Sequence, residues 1–466
     1  MAVNGGAGTD LSNSRFRARR RWRRRLGYGA LILLLAGTIF YAGLRYHWRH
    51  EFLRRVEVIR ASGSPVTLEE LNKSYQWPES GENAAAAILS AASCYVPPTE
   101  KESEETLWSI LGGQRLRRAE PLDEDSRTML AEHLKANAQA LGFLRDATAL
   151  EGSRYPMDLT KGFGQFPMYI GEVINKANIL PCLEAILHAE NGDPRRASEA
   201  VLTSLAVTRS LAWEPMVGCQ INRLTCQKVA LIALQRVLSR VDRFADDQLL
   251  ALSRALTKAS DADSWTRALI GERCIIIAMH ERPDLVEPAV GPSVPQFVIN
   301  AQKELGLADR SGIAFLKLMD RLMQVRQLPA QERLDAAAEV DKARHALPGS
   351  FFIIHEAAPY AVGVVRWELT ETARLATASC GLAVQRYRLA HGALPEALRE
   401  LVPMYLPDVP LDPFDGKPLR YKRLERGYVI YSAGPDGTDD GGKEQPPAVR
   451  GKPDISAYDI TFTVER

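Results

Sequence analysis

The sequence predicts a mainly α-helical protein: an N-terminal transmembrane helix, a large α-helical extracytoplasmic domain and a small α+β module at the C-terminal end. Three observations lead there. An apolar run, Leu26 to Tyr46, follows directly on an arginine-rich stretch. Apolar residues recur at three- and four-residue steps through most of 103–260 and again towards 346. Beyond residue 411, turn dipeptides separate short stretches rich in aromatic and β-branched residues. The boundaries that follow are a basic cytoplasmic tail at 1–25, an anchor at 26–46, a helical domain at 47–350 and the α+β module at 366–466.

The chain is long enough for two or three domains, and its 46% apolar and 25% charged content is ordinary for a folded protein. A net charge of +2 hides an asymmetry: residues 1–25 carry eight arginines against one acid, Asp10, so the tail is +7 and the rest −5. A mildly acidic body gives no case for a nucleic-acid partner. The stretch Leu26–Tyr46 is interrupted by charge only at Arg45, and about twenty helical residues cross a ~30 Å hydrocarbon core. Trp22 and Tyr28 before it, and Tyr41, Tyr46 and Trp48 near its other end, suit the two interfacial belts. The excess of arginines before the span puts the N-terminus in the cytoplasm and the bulk of the chain outside. The expected partners are the lipid bilayer through 26–46 and anionic lipid at the arginine-rich tail. No small-x-small cleavage site follows the apolar run, which favours an uncleaved anchor over a signal peptide.

The segment 47–60 reads as a charged helical stalk broken at Gly63-Ser64-Pro65. Thr67 with Glu70 three residues later has the outline of a capping box. Asn83–Ser93 is alanine-rich and helical. Asn191-Gly192-Asp193-Pro194 is the clearest punctuation: a left-handed Gly192 closing one helix, Asp193 capping the next, Pro194 in its first turn. The next helix places Ala197, Val201, Leu205, Thr208 and Ala212 on one inward stripe, and Ile313, Leu316, Met319, Leu322 and Val325 form another. Four prolines at 283, 288, 292 and 295 mark a long loop. The six cysteines (94, 182, 219, 226, 274, 380) form no CxxC pair, and small buried thiols are the expectation.

Catalytic signatures are weak. His355-Glu356-Ala357-Ala358-Pro359 has Pro359 where a zinc-protease helix needs its second histidine. Gly162-Phe163-Gly164 lacks the third glycine of a dinucleotide cradle, and neither a GxSxG elbow nor a phosphate loop occurs. Asp246-Asp247 reads as the acidic start of a helix. Glu272-Arg273, inside an apolar helix, reads as a buried ion pair or a site.

The C-terminal block is denser. A helix over 366–390 turns Ala373, Ala376, Cys380, Ala383 and Tyr387 to one narrow face of mostly small residues, and His391-Gly392 ends it. Pro395 opens a short helix through Val402. Strands are expected at Leu419–Lys422, Tyr428–Tyr431 and Tyr458–Val464, with a turn at Glu425–Gly427. The motifs are Tyr387…Gly392…Pro395, then Pro410-x-Asp412-Pro413-Phe414-x-Gly416-x-Pro418…Tyr421, then Tyr431-Ser432-x-Gly434-x-Asp436-Gly437, then Asp459-Ile460.

Those residues resemble the globular part of the major pseudopilin of type II secretion systems. The resemblance stops short of the N-terminus: no prepilin-peptidase site precedes Leu26, and a long helical domain separates the span from the module. A filament subunit is therefore not expected. The whole chain resembles large uncharacterised single-pass membrane proteins of planctomycete-type bacteria that carry this block. In the pseudopilins the loop after Tyr-Ser binds calcium, which implies a metal site here at Asp436, Asp440 and Asp459. Asp436, Thr438, Asp440 and Gly441 also match the first half of an EF-hand loop, although Pro447 stands where its bidentate glutamate belongs.

The resulting expectation is a membrane-anchored protein that binds an envelope protein partner or organises the cell envelope, with no catalytic residue assigned. Two alternatives are a membrane-anchored hydrolase with a site built from distant residues, lidded by 283–295, and an accessory component of a type II secretion-like system. Perturbed carboxylates converging in a deep pocket would favour the hydrolase; an apolar exposed groove without them would favour the binding protein.

Overall fold

The computed structural model describes residues 9–78, 82–98, 101–112, 118–161, 168–261, 263–286, 294–444 and 458–466. Residues 1–8, the Gly162-Phe163-Gly164 stretch, Pro288, Pro292 and Pro447 lie outside them, and so do most of the tail's arginine side chains.

Helix α1, Thr9–Ala61, runs unbroken from the basic tail through the apolar stretch and beyond it. It ends where expected, with Gly63 left-handed at φ 82°. The stretch 47–60, however, is not a solvated stalk. Phe52 and Val56 are buried, at 1% and 7% exposed, and belong to the same core as the rest of the protein. Spacing misled here because the charged residues between them form the outer face, with Glu51 bonded to Arg54 and Arg55 at 2.9 and 2.8 Å.

The helical body follows as α2 (Leu68–Ser74), α3 (Ala84–Ser93), α4 (Lys101–Gly112), α5 (Glu124–Ala136), α6 (Ala138–Asp146), α7 (Met168–Glu190), α8 (Pro194–Arg209), α9 (Val217–Arg240), α10 (Asp246–Ala259), α11 (Ser264–Glu281), α12 (Gln296–Glu304), α13 (Leu307–Val325), α14 (Arg333–His345) and α15 (Phe352–Ala357). Local capping works as the sequence implies. The Thr67 hydroxyl accepts from the Glu70 amide at 3.1 Å, while the Glu70 carboxylate accepts from Thr67 and Val66. Gly192 has φ 70°, Asp193 accepts from the Arg196 amide at 3.0 Å, and Pro194 opens α8. Helix α8 is buried nearly all round rather than along one stripe, because α7, α9 and α10 all pack on it. All six cysteines are free, and five of them are buried.

Helix α16, Ala361–His391, opens the C-terminal part, its first amides at 361 and 362 each 2.9 Å from the Asp341 carboxylate of α14. Gly392, at φ 73°, closes it. The expected helix from Pro395 is only a 3-10 turn at Leu398–Leu401, which Glu400 caps by accepting from the Glu396 and Ala397 amides. Strands β1 (Arg420–Leu424), β2 (Gly427–Ser432) and β3 (Ile460–Glu465) form an antiparallel sheet in that order. Gly427, at φ 130°, follows the tight turn; a Cβ there would strike the Val464 carbonyl. Gly381 of α16 likewise lets Phe462 of β3 lie against the helix. The sheet also grips the body: the Thr463 amide donates to Gln235 of α9 at 2.8 Å and the Glu465 amide to Ser239 at 3.1 Å.

A buried cation ties the layers together. Arg223 of α9 is 1% exposed and its donors are all used. Nε donates to Gln220 at 2.7 Å, Nη1 to the Ala259 carbonyl at 3.1 Å, and Nη2 to Ser264 at 2.8 Å. Both Nη1 and Nη2 reach the Glu371 carboxylate of α16, at 2.6 and 2.8 Å. Trp265 Nε1 adds a 3.0 Å bond to the same carboxylate. Burial still outweighs these bonds and raises the Glu371 pKa above the usual range. Asp246 stands in the first turn of α10, as expected, and its carboxylate also pairs with Arg386 of α16 at 2.7 Å. Removing one partner of a buried pair leaves an unpaired charge, so Arg223→Met should cost about 3–5 kcal/mol. Arg386→Ala, breaking a partly exposed pair, should cost under ~1 kcal/mol. Denaturant unfolding of the two variants in detergent, followed by tryptophan fluorescence, checks both.

Candidate functional site

A groove lies beside α1. Helix α13 runs along α1, turning Phe315, Leu316, Met319 and Leu322 inward. Gly312 permits this contact, since a Cβ there would strike the Phe52 ring. The opposite flank of α13 is left open. It carries Arg310, Ile313, Ala314, Lys317, Leu318 and Arg321, and forms the floor of a groove of about 620 Å³. His47 and Trp48 of α1 wall one side; Ala343, Leu347 and Phe351 wall the other. Ile313, placed on the inward stripe by its spacing, is half-buried at this floor.

The groove is apolar at its base and cationic along its length. The Arg310 guanidinium stands 5.5 Å from the Trp48 ring centre and 5.8 Å from that of Phe351. Among the described residues, Arg310, Lys317 and Arg321 have no carboxylate partner. The one acid of the lining, Glu51, is held by its own helix: its bond from Arg54 is the largest cause of a pKa lowered to about 2. Asp309, next to Arg310, is taken by Arg49 at 3.0 Å. The groove can therefore receive a segment with an apolar face and negative charge. Sequence reasoning missed it because its walls come from residues near 47, 317 and 347; the one signal was the Arg310, Lys317, Arg321 repeat beside the apolar stripe.

Perturbed carboxylates do exist, but they are elsewhere. Glu214, on the loop after α8, is fully buried. One oxygen accepts from the Tyr75 hydroxyl and, at 3.3 Å, from the Tyr155 amide; the other has no partner. Burial pushes its pKa up to about 8. Glu272 of α11 accepts from the Val217 amide at 3.1 Å, serving the start of α9, and burial raises it to about 7. It does not pair with Arg273, which bonds Ser64 and the Pro65 carbonyl. Gly271 beside it lets α11 reach the Pro215 carbonyl, which a Cβ would strike. Neither carboxylate lines the groove along α13 or a second one of about 570 Å³ along the other flank of α1.

His355 lies on the short α15, its ring 3.2 Å from the Pro348 carbonyl, and α15 stops at Ala357 before Pro359. In the C-terminal block Asp412 is the hub. It is 1% exposed and accepts from the Phe414 amide at 3.0 Å, the Ser432 hydroxyl at 2.8 Å, the Ala433 amide at 2.7 Å and Arg420. Arg420 also reaches Asp415 and Asp439, so its one guanidinium is shared among three carboxylates. Asp459 accepts from the Gly442 amide at 2.7 Å and the Asp440 amide at 3.4 Å, and Asp436 from the Thr438 amide at 3.0 Å. Among the described residues, no three His, Cys, Asp or Glu side chains converge as metal ligands; Asp459 is tied to Asp440 through the Asp440 amide, and Asp436 bonds within its own turn.

Comparison of the chain with protein-family models, with curated proteins and with solved structures gives no match.

Two predictions follow from these sites. With Glu214 at about 8 folded and near its ordinary 4.5 unfolded, the folded state binds the extra proton between those values. The contribution of Glu214 to stability is then fully present below about pH 4.5 and is lost as pH rises towards 8. Glu214→Gln removes its share, about 1.4 kcal/mol per pH unit across that window. Unfolding of wild type and variant at pH 5 and pH 8 measures the change of slope. Because the Asp436 and Asp459 carboxylates already accept backbone amides and no ligand set converges there among the described residues, millimolar calcium should leave the thermal midpoint of the full chain unchanged; a rise with calcium but not magnesium would establish a metal site.

Proposed function

We propose that the chain is a single-pass protein of a bacterial cytoplasmic membrane, its folded body outside the cytoplasm, that works by binding another envelope protein. The observation that carries this is the composition of α1. The helix over Arg25–Ala61 is long and apolar enough to cross a membrane, and none of its apolar window is buried. Leu33, Ile39 and Phe40 are 75%, 72% and 70% exposed, yet twelve residues past Phe40 the same helix enters the core at Phe52. A soluble protein would leave that apolar cylinder in water; a bilayer covers it.

The binding role is supported by the groove along α13: it is open and apolar at its base, and among the described residues its three cations have no carboxylate partner. An acidic amphipathic helix fits it best, apolar side chains over Ile313 and Leu318 and carboxylates against Lys317 and Arg321. A hydrolytic reading is less well supported, because Glu214 and Glu272 are buried and line neither groove. The helix and three-stranded sheet at the C-terminal end, with the Asp412 and Ser432 motifs, support an accessory role in a type II secretion-like system as a second reading; co-purification with pseudopilins tests it.

The anchor is tested in the cell of origin or a bacterial host. Alkaline carbonate should leave the full chain in the membrane pellet, and alkaline phosphatase fused after Arg466 should be active. Release into the supernatant, or an inactive fusion, would overturn the anchored topology. For the groove, Lys317→Glu with Arg321→Glu should abolish the crosslinked complex that wild type forms in intact cells, without lowering the thermal midpoint. An unchanged complex would remove the groove from the reading.

A further inference from the structure

The body meets α1 before the apolar stretch has ended. The Tyr41 hydroxyl donates to the Leu305 carbonyl, in the turn between α12 and α13. Arg45 packs on Gly306 of the same turn, where a Cβ would meet its side chain at 2.8 Å. The contacts then climb both helices together: Arg49 to Asp309 at 3.0 Å, and Phe52 to Gly312. Helices α1 and α13 thus run in the same direction, and Leu305 is the lowest point of contact. Tyr41 lies five residues before Tyr46, so the turn sits roughly 7 Å below the end of the apolar stretch.

That level has a consequence for the bilayer. From Leu26 to Tyr41 the helix is about 23 Å long, short of a ~30 Å hydrocarbon core. The missing depth has to be made up at the level of the turn itself. Its surface suits that position. Leu305 is 47% exposed, Phe297 on the α12 helix leading into it 73%, and Tyr46 on α1 73%. Helix α12 buries only Ile299. Lys303 and Arg310 flank the turn, with Glu304 the single acid of α12, and Arg310 stacks near Trp48. An exposed apolar turn bordered by aromatic and cationic side chains is the composition of an interfacial contact.

We propose that the α12–α13 turn is a second membrane contact, seated in the outer interfacial layer with Leu305 and Phe297 towards the acyl chains and Arg310 at the level of the phosphates. It rests on α1 being the anchor. The body is then held on the bilayer at two points, and the groove along α13 begins at the headgroup level and rises away from it.

The test uses the full chain in nanodiscs of phosphatidylcholine and phosphatidylglycerol, with a benzophenone amino acid placed singly at Phe40, Phe297, Leu305 or Met404. Met404 is 75% exposed in the C-terminal part and serves as background. Illumination followed by intact-mass measurement counts lipid adducts. Adducts at Leu305 and Phe297 several-fold above Met404 are the expected result, and having two labelled positions guards against one of them misfolding. Adducts at Phe40 with only background at both Leu305 and Phe297 would overturn the second contact and leave the anchor standing. Background at Phe40 as well would overturn both.

Discussion

The pair Arg223–Glu371 is the constraint on which the arrangement of layers depends. A guanidinium with 1% exposure is tolerable only if every donor is met, and its partners come from four places: Gln220 on its own helix, the end of α10, the start of α11, and α16. No two of those elements can slide without stranding a charge. Gln220 extends the same network by donating to the Leu211 and Glu214 carbonyls, which fixes the loop that carries the buried Glu214. The position of α16 then fixes the sheet, because Phe462 packs at Gly381 and the Tyr428 hydroxyl donates to the Gly381 carbonyl at 2.9 Å. The helical body and the C-terminal part are joined through shared polar atoms as well as a continuous core.

Elements governed by neighbours in sequence were legible. Thr67 with Glu70, Gly192 through Pro194, and Gly392 each act within a few residues, where geometry is local and residue type nearly decides it. The three strands were found for the same reason: Tyr428, Val429, Ile430 and Tyr431 lie between turns that allow little else. What spacing could not reveal was anything assembled across the chain. Arg223 and Glu371 are 148 positions apart, and either alone reads as a surface charge on a helix. Asp246 stands at a helix start, as its local context implies, but only the fold brings Arg386 beside it. The segment 47–60 looked like a stalk because its charges outnumber Phe52 and Val56, although those two side chains decide where it goes.

The C-terminal block shows the difference between recognising a pattern and knowing its use. Asp412, Gly416, Ser432 and Asp459 belong to the motif, and the resemblance implies calcium only at Asp436, Asp440 and Asp459. The geometry supplies a reason for Asp412 itself. Asp412 gathers two amides, a hydroxyl and a guanidinium, so it organises the turn before β1 and the end of β2 at once. Arg420 holds Asp412, Asp415 and Asp439 together by bonding all three carboxylates. An arginine does so with fixed directions, in keeping with a module whose task is to hold shape.

The unbroken course of α1 links this rigidity to the proposed role. A flexible tether would let the body turn freely above the membrane, and a groove on its side would then point anywhere. Here the residues just past the apolar stretch are themselves core residues: Phe52 lies against Gly312 of α13 and near the His280 ring of α11. Rotating the body about the anchor would require pulling Phe52 out of that contact, and a buried aromatic of this size resists it by roughly 3–5 kcal/mol. With α1 as the anchor, the direction of the groove relative to the bilayer is therefore set by packing. The cations at Arg310, Lys317 and Arg321 form a line that leaves the membrane surface at a fixed heading. A partner anchored in the same membrane would meet them already oriented, which lowers the ordering cost of association more than any single added contact could.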